Sequence, residues 1–253
     1  MLRVLCLHGY TQNAQKFRDR TGPFRRNLKR RLEMVYVTAP LQATEFQSAP
    51  ASDASDAADG GDGPSAAWWN RTSPSDTWDG IKQSTRFLAQ VMAEQGPFDG
   101  IVGFSQGSGM AAILAALMHA SHSPLLGALE DDDLRLLALE LRALPPLKFA
   151  ILFAGFFPDV PQFAELIEKT GRVPTRTLHM VGQRDAIVPM ARGRQLAEQA
   201  FDGAVAMEHE GGHFVPCNAA WRRKYQEFLD SVHPAEAAQA KEAQQRSSRG
   251  GNF

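Results

Sequence analysis

The sequence predicts an α/β fold, a doubly wound and mostly parallel sheet of about six strands with helices on both faces. Short runs rich in Val, Ile, Leu and Phe recur along the chain. Most of them are continuously apolar, which is typical of strands buried on both faces. Segments with apolar residues at helical spacing separate these runs, so that strands and helices alternate. In such a sheet, functional sites lie at the carboxyl ends of the strands.

Six runs are predicted as strands because each is apolar and most end at glycine or turn residues. They are residues 3–7, 34–38, 100–104, 149–154, 177–181 and 204–208. Segments with apolar residues at helical spacing lie between the predicted strands and after the last one. Their apolar positions are Phe17, Phe24, Leu28 and Leu32; Trp78, Ile81, Leu88, Val91 and Met92; Met110, Ile113, Leu114 and Leu117; Leu196, Ala197 and Ala200; and Trp221, Tyr225, Phe228 and Leu229.

Three segments interrupt this alternation within a single predicted domain of residues 1–233. Residues 47–66 are mostly Ala, Asp, Ser and Gly, which predicts a mobile loop. Residues 121–146 include nine leucines between 125 and 144. They predict a helical excursion that either packs on the core or caps the site. Residues 234–253 are polar and are expected to form a disordered tail.

Composition excludes several functional classes. The 253 residues contain 27 Lys and Arg against 28 Asp and Glu, which argues against a nucleic-acid surface. No apolar run reaches the roughly 18 residues of a membrane span, so no stable membrane insertion is expected. Cys6 and Cys217 have no metal-ligand spacing, and we expect no metal and no disulfide framework. These features favour a cytoplasmic protein, with the nucleus also open to it.

The stretch GFSQG, residues 103–107, predicts a nucleophile. It follows a predicted strand and precedes an alanine-rich helix, the context in which G-x-S-x-G forms a sharp turn that exposes its serine. Ser105 then needs a base, and His213 is favoured because it follows two glycines in a loop. His209, within the strand pattern, is the competing candidate.

An aspartate is needed to orient the base. Asp185 follows a predicted strand and is favoured over Asp159, which could instead cap a helix. The order Ser105, Asp185, His213 is the order found in α/β-hydrolases. The backbone N–H groups of Gln106 and Tyr10 are predicted to form the oxyanion hole, with His8 orienting the turn before Tyr10.

The side chains expected to contact substrate share positions at the predicted strand ends. They are Tyr10, Phe104, Phe156, Phe157, Ile187, Val188 and Phe214. Arg184 is the only arginine in the four motif loops, so an apolar acyl chain fits better than a charged small acid. Each buried methylene would contribute up to about 0.8 kcal/mol to binding.

Four stretches resemble the FSH (family of serine hydrolases) branch of the α/β-hydrolases. They are LCLHGYTQN, GPFDGIVGFSQG, GQRDAIVP and GGHFVP, and the resemblance extends over residues 2–229. It implies an α/β-hydrolase domain that cleaves carboxylic esters or thioesters without a metal or organic cofactor. By motif, it matches Ser105 to the nucleophile, Asp185 to the acid and His213 to the base. Trp68 and Trp69 also resemble an aromatic element of the family.

The sequence therefore predicts a serine hydrolase that acts on small-molecule esters with medium-to-long apolar acyl or alkyl chains. An acyl or polyketide thioesterase is the alternative within enzymes, since the same three residues serve both reactions. A non-catalytic binding module is the alternative outside enzymes. The oligomeric state is left open.

Overall fold

The computed structural model describes residues 1–44 and 63–233 and contains a central six-stranded parallel sheet. Its strands are β1 (Leu2–Leu7), β2 (Leu32–Val37), β5 (Gly100–Phe104), β6 (Phe149–Phe153), β7 (Arg176–Gly182) and β8 (Val205–His209). A short antiparallel pair, β3 (Leu41–Gln42) and β4 (Ala66–Ala67), lies outside this sheet. The six strands confirm the predicted fold class, and their ends differ from the predicted ones by only one or two residues.

The strand order is β2-β1-β5-β6-β7-β8. The chain therefore moves outward from β1 to β2 in one direction, and from β5 through β8 in the other. Ligand sites in open α/β sheets lie at this reversal, outside the carboxyl ends of the two adjoining strands. Here those strands are β1 and β5, which place the loop from His8 and the serine Ser105 side by side.

Helices cover both faces of the sheet, as the prediction requires. They are α1 (Ala14–Arg20), α2 (Gly22–Leu28), α3 (Pro74–Gln95), α4 (Gln106–Ala120), α5 (Asp132–Leu141), α6 (Pro161–Thr170), α7 (Met190–Ala200) and α8 (Ala219–Val232). Side chains of α1, α2 and α8 form the apolar core on one face, and those of α3 to α7 form the core on the other. Every residue of α4 except His119 is buried. A helix that is apolar all round belongs in the interior, which fixes its first turn rigidly.

The helix predicted from Phe17 to Leu32 was wrong as a single element. The structure contains two helices, α1 and α2, and Leu32 is the first residue of β2. Pro23 lies in the first turn of α2, where its missing N–H is tolerated and a new helix begins. Leu32 is buried as predicted, but it pairs with Leu2 in the sheet instead of extending a helical stripe.

The leucine-rich segment forms α5, which packs against α3 and α4. Asp131 accepts a hydrogen bond from the Leu134 N–H at 3.1 Å and so caps the helix, and Leu137 is fully buried. Leu136 and Leu139 on the same helix are 52% and 45% exposed. The helix thus buries one face on the core and presents another to solvent.

Most of one predicted segment and all of another lie outside the described residues. Of the predicted mobile loop, residues 47–62 are not described, and neither is the predicted tail of residues 234–253. At the end of that loop, Ala66 is buried and pairs with Gln42 in the two-stranded sheet.

Folding stability is expected to fall as the pH drops below 6.5, because two histidines are buried in neutral form. Burial lowers the pKa of His179 from 6.5 to about 3, and that of His8 to about 4. The unfolded chain then binds more protons than the folded chain below pH 6.5, so each histidine should cost roughly 2 kcal/mol of stability at pH 5. His179→Gln keeps a partner for the Thr177 hydroxyl, 3.0 Å from His179 Nε2, but cannot titrate.

Denaturant unfolding at pH 7 and at pH 5 measures this effect. The His179→Gln variant should lose less stability between the two pH values than the wild type. An equal loss in both proteins would contradict the assignment of His179.

Candidate active site

Ser105 occupies a strained turn between β5 and α4. Its backbone angles are φ 52° and ψ −117°, in the region that side chains disfavour. The Ser105 N–H donates to the Phe153 carbonyl at 2.9 Å, which continues the pairing of β5 with β6 and holds the turn in place. The side chain is nearly buried, with 9% of the residue exposed.

The two glycines of the motif are required by close packing. A Cβ on Gly103 would lie 2.6 Å from the Gly107 carbonyl oxygen and the Ser108 Cα. A Cβ on Gly107 would overlap the carbonyl oxygens of Leu7 and His8 at the end of β1. The turn can therefore approach both its own helix and the β1 loop only because these positions lack side chains.

Gly107→Ala is expected to destabilise the fold by about 2 kcal/mol or more, because backbone atoms cannot move aside cheaply. Gly127→Ala provides a matched control, since a Cβ there would meet nothing within 4 Å and should change stability by less than about 0.5 kcal/mol. Thermal and denaturant unfolding of both variants measure the difference. Equal stability of the two variants would contradict the packing argument.

His8 is a structural residue of the β1 loop. The Ala39 N–H donates to its Nε2 at 2.9 Å, so its Nδ1 carries the proton and donates to the Gly9 carbonyl at 2.7 Å. Burial lowers its pKa to about 4, which keeps the ring neutral. The Trp68 indole N–H donates to the His8 carbonyl at 2.9 Å. These bonds orient the turn as the sequence predicts for His8.

Of the two amides predicted for the oxyanion hole, that of Gln106 directly follows Ser105 in the chain, and that of Tyr10 follows Gly9. A Cβ on Gly9 would be 3.4 Å from the Ser105 Cβ, so the residue before Tyr10 borders the serine. Gln106 is the first residue of α4, where an N–H has no carbonyl partner within the helix. The partial positive charge of the helix N-terminus adds to the stabilisation of an anion there.

The side chain of Gln106 has a role that the sequence did not indicate. Its Oε1 accepts from the Trp68 N–H at 2.9 Å, and its Nε2 donates to the Trp69 carbonyl at 2.7 Å. The tryptophan pair is therefore fixed directly to the turn that holds Ser105. The Tyr10 hydroxyl donates to the Thr44 carbonyl at 2.7 Å.

His213 and Asp185 form a buried hydrogen-bonded pair. The distance from His213 Nδ1 to Asp185 Oδ2 is 2.7 Å, and their side chains are 7% and 0% exposed. Asp185 Oδ1 accepts from the N–H groups of Ile187 and Val188 at 2.9 and 2.8 Å, which fixes the carboxylate. With Nδ1 as the donor, Nε2 is left as an acceptor. The His213 ring lies 4.8 Å from that of Phe104, the residue before Ser105.

The competing candidates make different contacts. Asp159 is exposed and pairs with Arg192 at 2.6 Å and with Arg71 at 3.7 Å. His209 is buried, and its Nδ1 accepts from the Gly211 N–H at 3.2 Å. Neither makes a contact equivalent to the bond between His213 and Asp185.

The predicted substrate-contacting residues differ in exposure. Phe104 and Val188 are buried, Tyr10, Phe156 and Phe157 are half-buried, and Ile187 and Phe214 are exposed. Phe104 packs against Phe17 and His213. Phe157 packs against Phe163 of α6.

A pocket of about 280 Å³ lies beside the first turn of α4. Its lining includes Trp69 and Phe156, whose rings are 6.2 Å apart. Both rings approach Gly109, four residues after Ser105, since a Cβ there would lie 3.0 Å from Trp69 Cη2 and 3.6 Å from Phe156. The Arg192 guanidinium lies 4.9 Å above the Phe156 ring. Arg71 and Arg192 lie outside the motif loops, and no sequence pattern predicts that both pair with Asp159 beside this pocket.

The described residues form neither a metal-binding cluster nor a membrane-spanning helix. Within residues 1–44 and 63–233, no group of three or more His, Cys, Asp or Glu is arranged to hold a metal ion. In the same part of the chain, no helix combines the length and apolar character needed to cross a bilayer. Cys6 and Cys217 are both free thiols.

Comparisons with known proteins agree with this architecture. Residues 1–225 match the serine hydrolase (FSH1) family. Esterase OVCA2 of Danio rerio is 35% identical over 90% of this chain and 96% of its own. Among solved structures, Arabidopsis thaliana SOBER1 matches with a TM-score of 0.58 and 14% identity over 91% of this chain and 98% of its own. Zea mays acyl-protein thioesterase 2 matches with a TM-score of 0.54 and 16% identity over 90% and 94%. These two structures share the α/β-hydrolase fold.

Proposed function

Because this chain belongs to the serine hydrolase (FSH1) family, we propose that it cleaves carboxylic esters with medium-to-long apolar chains through Ser105, His213 and Asp185. The observation that carries the proposal is the 2.7 Å bond between His213 and Asp185, buried at the sheet edge where Ser105 lies in its strained turn. The strand order supports this interpretation, since β5, β7 and β8 are parallel and end at the same edge.

In the acylation step, neutral His213 takes the proton of the Ser105 hydroxyl on Nε2 as the serine oxygen attacks the ester carbonyl carbon. The amides of Tyr10 and Gln106 hold the resulting oxyanion. Asp185 keeps the imidazole in the required tautomer and stabilises its positive charge. His213 then gives its proton to the leaving alcohol, and the bond between the carbonyl carbon and the alcohol oxygen breaks.

Water completes the cycle by attacking the acyl-enzyme. His213 accepts a proton from this water, the same oxyanion contacts form again, and the proton passes to the Ser105 oxygen as the acid is released. Each oxyanion donor in such sites contributes on the order of 10² to 10³ in rate. Thioesters follow the same steps with a thiol as leaving group, so matched oxygen esters and thioesters will separate the two substrate classes.

The pocket lined by Trp69 and Phe156 is the proposed site for the apolar chain. Its aromatic walls begin within one helical turn of Ser105, and its size suits part of an alkyl chain. Asp159 pairs with both arginines at its rim, which reduces the charge that an apolar chain would face. The exposed face of α5 carries Leu136 and belongs to an element packed on α3 and α4, which favours a packed excursion over a cap.

A series of p-nitrophenyl esters of increasing acyl length tests this assignment. For the wild type, kcat/KM should rise with chain length, by up to about fourfold for each methylene that becomes buried. Phe156→Ala should flatten this increase because it removes an apolar wall and uncovers Arg192. Leu136→Ala, a change on the exposed face of α5, should leave the series unchanged. A flattened series with Leu136→Ala and an unchanged one with Phe156→Ala would favour a cap instead.

We place the activity in the cytoplasm or nucleus and on small-molecule substrates. Two free cysteines, one buried and one half-buried, are consistent with a reducing compartment. Localisation of the tagged full chain in its source cells, compared with fluorophosphonate labelling of each fraction, would test this placement.

A further inference from the structure

His209 packs closely against the loop that carries His213. It ends β8, is 6% exposed, and lies four residues before His213. Its ring is 5.0 Å from that of Phe214 and 6.2 Å from that of Trp221. Its Cε1 would be 3.2 Å from a Cβ on Gly182, the last residue of β7. The His209 ring therefore packs between the end of β7 and the loop that follows β8.

The backbone N–H and carbonyl of Gly211 connect His209 to the segments that carry both members of the proposed acid–base pair. The Gly211 N–H donates to His209 Nδ1 at 3.2 Å, and its carbonyl accepts from the Arg184 N–H at 3.0 Å. Arg184 directly precedes Asp185, and Gly211 lies two residues before His213. Two consecutive glycines have large backbone freedom, so a loop of this kind needs such anchors to hold a fixed geometry.

We propose that His209 is a positioning residue for the hydrolysis proposed above, because its Nδ1 accepts the Gly211 N–H and so fixes the glycine segment that aims His213 at Asp185. The role requires a neutral ring with its proton on Nε2. It differs from the role of His213, since His209 exchanges no proton with substrate.

Protonation of His209 would remove this anchor. A proton on Nδ1 faces the Gly211 N–H, so two donors oppose each other and the hydrogen bond is lost. Burial lowers the pKa of His209, while the charge of Asp185 opposes that shift. The other titratable groups around the ring come from the β7–α7 loop, the ends of β8 and the approach to α8. They are Arg184, Glu208, Glu210, Cys217 and Lys224.

Two variants separate the acceptor from the ring. In His209→Asn, the side-chain carbonyl oxygen takes the place of Nδ1 as an acceptor and cannot be protonated. In His209→Phe, the aromatic contact is kept and the acceptor is lost. Rates of ester hydrolysis and of fluorophosphonate labelling at Ser105 are measured for both variants and the wild type across the acid and neutral pH range.

His209→Phe should lower kcat by about tenfold with little change in KM, the effect expected when one hydrogen bond that positions the base is removed. His209→Asn should retain kcat within about threefold near pH 8. In acid, log kcat/KM of the wild type should fall further than that of His209→Asn, because only the wild type can lose the bond to the Gly211 N–H by protonation of residue 209.

Identical pH profiles for wild type and His209→Asn would overturn the proposal, as would equal kcat losses in the Asn and Phe variants. If melting curves show that His209→Phe is unfolded, the comparison of pH profiles between wild type and His209→Asn decides alone. The triad proposal fails separately, since it falls if Ser105→Ala remains active in the wild-type background whatever the His209 variants do.

Discussion

Ser105→Ala is expected to lower kcat for ester hydrolysis by about 10⁴- to 10⁶-fold and to abolish labelling by a fluorophosphonate probe. The proposed chemistry forms its acyl-enzyme bond to the Ser105 oxygen, and no other group can take that place without a base beside it. The fold should survive the change, because the Ser105 N–H to Phe153 carbonyl bond is a backbone bond that alanine keeps.

Ser108→Ala supplies a matched control within the same turn. Ser108 is fully buried, and its hydroxyl donates to the Phe153 carbonyl at 2.9 Å, so it is a structural serine. This variant should lose some stability yet label with the probe as the wild type does. Full activity in Ser105→Ala, or labelling lost only in Ser108→Ala, would contradict the assignment of Ser105.

The sheet could be predicted from the sequence because its signal is local. Strands buried on both faces read as continuous apolar runs, and the runs at 100–104 and 149–153 are buried at every position in the structure. The helices between β1 and β2 were harder to predict. Phe17, Phe24 and Leu28 have the spacing of one helix, but α1 ends at Arg20 and α2 begins at Gly22, with Pro23 in its first turn.

Much of the candidate site was also predictable, because the carboxyl ends of parallel strands meet at one edge. That rule placed Asp185 and His213 together, and the structure shows them hydrogen-bonded. The rule says nothing about side chains that arrive from elsewhere. The pairing of Arg71 and Arg192 with Asp159 depends on how two loops and a helix pack.

The choice between His209 and His213 shows the same limit. Sequence position favoured His213 because it follows two glycines, and the structure places it against Asp185. The bond from the Gly211 N–H to His209 could not be predicted, since it depends on how the chain turns back on the end of β8. His209, the candidate not favoured as the base, is thus proposed to anchor the loop that carries His213.

Asp185→Asn is expected to lower kcat by about 10⁴-fold at neutral pH, through the wrong tautomer of His213. The N–H groups of Ile187 and Val188 both donate to Asp185 Oδ1. The carboxamide must keep its oxygen there, so its NH₂ group faces His213 Nδ1 in place of Oδ2. His213 would then accept at Nδ1 and carry its proton on Nε2, where it can no longer take the proton of Ser105.

Asp159→Asn is the control that separates this effect from a general loss of charge near the site. Asp159 is exposed and paired with arginines, and exposed ion pairs contribute little, so kcat should change by less than about threefold. Steady-state kinetics of both variants with one p-nitrophenyl ester suffice. A larger loss in Asp159→Asn than in Asp185→Asn would mean that the orienting carboxylate comes from the β6–α6 loop, and that the bond between His213 and Asp185 only holds the loop in place.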